Sequence, residues 1–200
     1  NAFLAVKITY INQIADLCEK VGADVHDVAN GMGMDKRIGG KFLHPGPGYG
    51  GSCFPKDTVA LVKTAELMGG EISIVEEVVR YNHERKLSMS TRILSQLSSG
   101  VSGKTISILG LAFKPETDDV RDSPALDIIP DLISKGANII AYDPAAMQEA
   151  NVLFSNKVVF AANAEACIKN ADACVIITEW NEFRAIAPVR FLELMKGNVV

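Results

Sequence analysis

The chain has 200 residues, 48% apolar and 22% charged, with 20 Lys and Arg against 24 Asp and Glu for a net charge of −4. That composition suits a globular chain with a sizeable core in one domain or two, and its slight acidity argues against a duplex-binding surface, which needs clustered Lys and Arg. No apolar run approaches the roughly 18 residues of a membrane span, and nothing resembles an export signal, so neither nucleic acid nor membrane is expected as a partner. Cys18, Cys53, Cys167 and Cys174 lack paired metal-type spacing and read as reduced thiols of a cytosolic protein. His26, His44 and His83 add no metal-ligand spacing, so no metal is expected.

Asn1 to Val21 carries two apolar stripes, Phe3/Tyr10/Ile14/Leu17/Val21 and Leu4/Ile8/Ile11/Ala15/Cys18, which predict a helix buried on more than one side. Asn1 stands in what reads as mid-helix, so a preceding piece is expected. Gly22 fits the stop of this helix and Asp24 the cap of a short one over Val25 to Asn30. Gly31 to Ser52 then reads as a long irregular stretch centred on His44-Pro-Gly-Pro-Gly-Tyr-Gly-Gly51, and loops of that length are usually functional. Helices follow over Pro55 to Met68 and Ser73 to Leu97, the second polar on one face. Residues 1–100 are therefore expected to be all-helical.

At Ser98-Ser-Gly-Val-Ser-Gly103 the composition shifts to short β-branched runs. Strands are predicted at Thr105–Leu109, Asn138–Tyr142, Val158–Phe160 and Cys174–Thr178, with helices near Pro124–Lys135, Ala145–Asn151 and Ala164–Asn170. Alternation of that kind implies a parallel sheet with helices on its faces, so residues 101–200 are expected to form a small doubly wound α/β domain.

The segment Gly48-Tyr-Gly-Gly-Ser-Cys-Phe-Pro-Lys-Asp57 carries the most chemistry. Pro55 suits a first helical turn, which puts Cys53 at the positive end of that helix with Lys56 nearby and a flexible glycine loop behind it. Such surroundings stabilise a thiolate and leave room for a substrate, while Asp57, one turn on, can orient water or a proton against the sulfur. A buried structural thiol beside a capped turn is the other reading, and the flanking glycines favour the reactive one.

A second candidate is the loop Ile108 to Pro124, which leaves the first strand where ligands of such sheets bind. The fingerprint G-x-G-x-x-G is absent, so Lys114 and Arg121 are expected to hold a nucleotide or phosphate, with a solvated charged loop as the equal alternative. Asp143 before Pro144 fits a ribose ligand or a strand-ending turn equally well. Arg37, in Asp35-Lys-Arg-Ile-Gly39, stands at the entrance to the glycine loop and can meet a phosphate or carboxylate, although an exposed solvated arginine accounts for it. Trp180 reads as packing.

With these residues in view, the chain resembles the nucleotide-sugar 6-dehydrogenases of the UDP-glucose/GDP-mannose dehydrogenase family. Three motifs carry the likeness: Asn1-Ala-Phe-Leu-Ala with Ile11-Asn12, the Cys53 segment, and Leu111-Ala-Phe-Lys-Pro-Glu-Thr-Asp-Asp-Val-Arg-Asp-Ser-Pro124. The resemblance implies a helical central dimerisation domain, then a Rossmann-like UDP-binding domain, and oxidation of a sugar C6 alcohol to a carboxylate with NAD. UDP-glucose giving UDP-glucuronate is the expected substrate and product. GDP-mannose or a UDP-N-acetyl-hexosamine is the alternative, and a dimerisation and nucleotide-binding module without chemistry a third reading.

By this likeness Cys53 captures the aldehyde, Asp57 positions water and Asn1 donates to the oxyanion. Arg37 reaches a neighbouring subunit's substrate, consistent with a homodimer through the first helix. Phe42, Leu43, His44, Pro45, Gly46 and Gly50 enclose the sugar nucleotide, Phe113 and Lys114 contact it, and Lys56 and Arg121 touch NAD. The resemblance also places the catalytic lysine four residues before Asn1 and an NAD-binding domain before that, so this length is expected to be inactive alone. Lys7 lies on a different helical face and does not replace that lysine.

Overall fold

A computed structural model describes residues 1–97 and 100–200; Ser98 and Ser99, where the composition begins to shift, lie outside the described residues. The chain packs as two compact units, Asn1–Arg85 and Lys86–Val200.

The first unit holds α1 (Ala2–Val21), α2 (Val25–Gly33), α3 (Phe54–Leu67) and the first half of α4 (Ser73–Ser95). Gly22 ends α1 in the left-handed conformation, φ 72°, which a glycine adopts without a Cβ clash, and Asp24 caps α2 by accepting from the His26 N–H at 2.8 Å. α1 packs through Ala5, Ile11, Ala15 and Cys18. Ala5 joins Tyr49, Phe54 and Val78 in one cluster, while Ile11 joins Ala29 and Leu43 in another. The predicted burial of α1 on more than one side, in a core or against another subunit, is seen within this chain only on the face that carries Ala5, Ile11, Ala15 and Cys18. Phe3 (74% exposed), Tyr10, Leu17 and Val21 of its other stripe face outward. Thr9 Oγ1 is buried and has no hydrogen-bond partner among the described residues.

The second unit is a four-stranded parallel sheet of β1 (Thr105–Leu109), β2 (Asn138–Tyr142), β3 (Val158–Phe160) and β4 (Ala173–Ile176) in the order β3-β2-β1-β4. The connections run through α5 (Ala125–Ser134), α6 (Met147–Phe154) and α7 (Ala164–Ile168). Ile106, Ile108 and Leu109 of β1 are fully buried, as a central parallel strand covered on both faces requires. Residues Met89, Ile93 and Leu94 from the second half of α4 pack on the same core. Because β2 and β4 flank β1 on opposite sides, the winding reverses at the end of β1, where open α/β sheets bind ligands.

The predicted fourth strand lies one residue earlier than expected and stops at Ile176. Beyond it the chain turns so that the Thr178 hydroxyl donates to the Ala112 carbonyl at 2.5 Å. That close approach forces a glycine at 110: φ is +97°, and a Cβ there would lie 2.5 Å from Thr178 Cβ. Two short helices were not legible in the sequence, α8 (Asn181–Arg184) and α9 (Pro188–Leu194). Neither is long enough to establish a period. At the chain end, Val199 forms a single parallel bridge with Ala173.

Burial pushes the Cys167 thiol up to about 12 and the Cys174 thiol up to about 11. Both are free thiols buried in the core of the second unit. Among the described residues no helix is long and apolar enough to cross a membrane.

Candidate active site

Pro55 lies in the first turn of α3, and Cys53 stands at its N-cap as the one exposed thiol among the described cysteines. Its backbone is helical, φ −93° and ψ −57°, and its side chain caps nothing. The sulfur therefore lies at the positive end of a helix of 14 residues, 3.7 Å from Ser52 Oγ. A water-soluble maleimide is expected to label one thiol of the native chain, Cys53, and all four after unfolding. Rapid native labelling at Cys18, Cys167 or Cys174, all buried, would contradict these burials.

Asp57 is one turn along α3, its N–H donating to the Cys53 carbonyl at 2.9 Å. Its carboxylate accepts from Asn1 Nδ2 at 2.5 Å and lies 3.6 Å from Lys56 Nζ. The Asn1 hydrogen bond, aided by the Lys56 charge, holds the Asp57 carboxyl below the usual range. Asn1, at the start of α1, leaves its own helix uncapped and reaches across to α3 instead. Asn1, Cys53, Lys56 and Asp57 thus gather at the N-terminal turn of α3.

The glycine loop is held more firmly than a flexible loop would be. The Gly46 N–H donates to Asn12 Oδ1 at 2.8 Å, and its carbonyl accepts from Arg85 Nε at 2.6 Å. The Tyr49 N–H donates to Asn82 Oδ1 at 2.8 Å, while Asn82 Nδ2 returns a bond to the Tyr49 carbonyl at 3.1 Å. Asn12, Asn82 and Arg85 are all buried. Asn82 and Arg85 carry no signal in the sequence, because a polar residue on a helix normally faces water, whereas Asn12 stands in the Ile11-Asn12 motif that supports the resemblance.

The other loop residues sit as follows. Phe42 adopts φ 66°, unusual for a bulky side chain, with its ring edge-on to Phe54 at 6.0 Å. Leu43 is buried in the core and His44 is exposed. Both line an open cavity of about 550 Å³ with His26, Asn30 and Met34. Pro45 is half-buried and Gly50 buried. Arg37 stands apart: Asp35 binds its guanidinium at 2.5 Å, its side chain is 88% exposed, and no hydrogen bond joins it to Asn1, Cys53 or Asp57. Lys7 anchors that same turn by donating to the Ile38 and Gly39 carbonyls at 2.9 and 3.0 Å.

In the second unit the loop after β1 folds on itself, the Phe113 N–H donating to the Asp119 carbonyl at 3.0 Å. Lys114 Nζ lies 5.4 Å over the Phe113 ring. Arg121 forks onto the Asp119 carboxylate at 2.9 and 2.7 Å. Asp119 therefore gathers Phe113, Lys114 and Arg121, and the Arg121 bond chiefly, with the Lys114 charge contributing, keeps its carboxyl below the usual range. Asp143 has no free acceptor for a ribose. It is fully buried and takes hydrogen bonds from Leu111 N, Ala112 N, Ala145 N, Ala146 N and Trp180 Nε1 at 2.7 to 3.2 Å.

The fold and the site together define a chain with a helical unit carrying an exposed thiol at a helix N-terminus and a separate α/β unit of nucleotide-binding type. The central-domain pattern of the UDP-glucose/GDP-mannose dehydrogenase family matches residues 1–84, and that family's UDP-binding-domain pattern matches residues 107–200. The chain belongs to the UDP-glucose/GDP-mannose dehydrogenase family. It is 53% identical over 196 residues to the UDP-glucose 6-dehydrogenase of Rhizobium meliloti, covering 98% of this chain and 45% of that protein. A UDP-glucose dehydrogenase structure from Pyrobaculum islandicum superposes with a TM-score of 0.89 at 33% identity, covering 98% of this chain and 48% of that one. A UDP-D-ManNAc dehydrogenase from Pyrococcus horikoshii gives 0.81 at 27%, covering 98% and 44%. The chain spans about half the length of the relatives it matches.

Proposed function

We propose that this chain is the central and UDP-binding part of an NAD-dependent UDP-glucose 6-dehydrogenase that oxidises UDP-glucose to UDP-glucuronate. The observation that carries the reading is the exposed Cys53 at the N-terminus of α3, with Asn1 and Asp57 joined beside it. After the first oxidation the C6 carbon is an aldehyde, and the Cys53 sulfur adds to it while the carbonyl oxygen takes a proton, giving a thiohemiacetal. The second oxidation leaves a thioester. Water then adds to the carbonyl carbon, the C–S bond breaks, and the products are the carboxylate and the free thiol.

Asn1 has two amide N–H groups, and the bond to Asp57 occupies one. The other is the donor proposed for the oxyanion of the sulfur adduct. Asp57, held ionised, is an acceptor that orients the attacking water.

NAD would supply the hydride acceptor for both oxidations. Lys56 of the first unit and Arg121 of the second are exposed cations, their side chains 75% and 68% accessible, and each is proposed to touch NAD. Phe42, His44, Pro45, Gly46 and Gly50 are proposed to enclose the sugar nucleotide, with Leu43 contributing its backbone, and Phe113 and Lys114 to contact it. The outward stripe Phe3, Tyr10, Leu17 and Val21 supports a homodimer formed through α1, in which Arg37 serves the neighbouring subunit.

The test is a panel assay of the full-length enzyme with UDP-glucose, GDP-mannose and UDP-N-acetyl-hexosamines. The expected result is the highest kcat/KM with UDP-glucose and two NADH per sugar oxidised. Absence of NADH with every sugar would refute the reading, and a preference for GDP-mannose would move the substrate within the family.

A further inference from the structure

We infer that Asn82 and Arg85 are positioning residues that hold the glycine loop in its substrate-binding form before substrate arrives. The inference rests on the function proposed above.

The two side chains stand three residues apart on α4, which puts them one turn apart on one face, and the loop residues they hold, Gly46 and Tyr49, are also three apart. At each loop position both backbone polar groups are engaged. Asn82 serves the N–H and the carbonyl of Tyr49 by itself. At Gly46 the two roles fall to Asn12 and Arg85, which are themselves linked, Arg85 Nη1 donating to the Asn12 carbonyl at 3.3 Å. Arg85 is in turn anchored by Asp16 Oδ1 at 2.8 Å, and Asp16 also accepts from the Tyr81 hydroxyl.

A buried loop needs backbone partners in any protein, and partners close in sequence would do. Here they lie 33 to 39 residues away and are side chains with directional geometry, so they fix the position of the loop as well as satisfying it. The effect extends to the nucleophile's helix. The Tyr49 ring packs at 90° against Phe54, the residue after Cys53, with centroids 5.9 Å apart.

A loop released from this grip samples other conformations, and substrate must select the competent fraction. The apparent dissociation constant rises by the inverse of that fraction, while the bound complex keeps its geometry. In the full-length enzyme, Asn82→Ala and Arg85→Lys are therefore expected to raise the KM for UDP-glucose at least tenfold, with kcat within about threefold of wild type and the KM for NAD unchanged. A merely structural role predicts the opposite split, a smaller active fraction with lower kcat at unchanged KM.

The second measurement needs no variant: amide hydrogen exchange at Gly46 and Tyr49 in the substrate-free wild-type enzyme. Protection comparable to the core helices is expected, because both amides donate to buried side chains. Exchange at the rate of an open loop overturns the inference even if Asn82→Ala fails to fold. So does a wild-type KM in both variants. A wild-type enzyme that oxidises no nucleotide sugar defeats the functional reading instead, and the exchange result then decides the positioning role alone.

Discussion

Cys53→Ser in the full-length enzyme is expected to lower kcat by about a thousandfold or more. Serine keeps the position at the N-terminus of α3 and nearly the same volume, so binding and folding should survive. What changes is the nucleophile. An alcohol is scarcely ionised near neutral pH, and no side chain bonded to the site from this chain is a base for it: Asp57 is already committed to Asn1 and held ionised, a weak base. Any adduct that did form would proceed to an ester, which water cleaves more slowly than a thioester. Rapid-quench analysis should therefore find sugar accumulating at the aldehyde level or as an enzyme-bound ester. Normal turnover with two NADH per sugar would remove Cys53 from the mechanism.

The second large effect concerns Asp143. Five N–H groups converge on its buried carboxylate, two from the loop after β1, two from the turn after β2, and the Trp180 indole. Asp143→Ala leaves all five without their acceptor in a region that excludes water. At about 1 to 3 kcal/mol for each buried donor left unpaired, discounted for relaxation, the loss is about 4 kcal/mol or more, a large share of a domain's stability. Calorimetry should show the transition of the second unit displaced far downward or missing. A ribose-binding role predicts a different result, a normal transition with weakened nucleotide binding, and a melting temperature within two or three degrees of wild type would favour it.

Most of the second unit was legible because parallel strands buried on both faces leave short β-branched runs in the sequence. Three strands carry the expected bounds. The fourth was read too far along, since Ile177 and Thr178 continue the apolar, β-branched pattern while the chain has already turned to reach Ala112. Asp143 could be decided only in three dimensions, because its donors come from three separate segments. The grouping at Cys53 was half legible. Proline, lysine and aspartate at fixed offsets from a cysteine predict a helix terminus, whereas the Asn1–Asp57 bond joins residues 56 apart. Asn82 and Arg85 left no trace, since the polar spacing of α4 is the same whether those residues face water or a loop backbone.

The outward face of α1 has a consequence for how this protein tolerates change. In the dimer proposed here, two copies of α1 meet about a two-fold axis, so the same surface serves as both halves of the contact. Every substitution at Phe3, Tyr10, Leu17 or Val21 is then made twice in one interface. A change that would be mild at an ordinary surface is doubled, whether it adds a contact or removes one, and residues near the axis meet their own images. In that dimer such a face would change in steps of two, although it lies on the outside of the single chain.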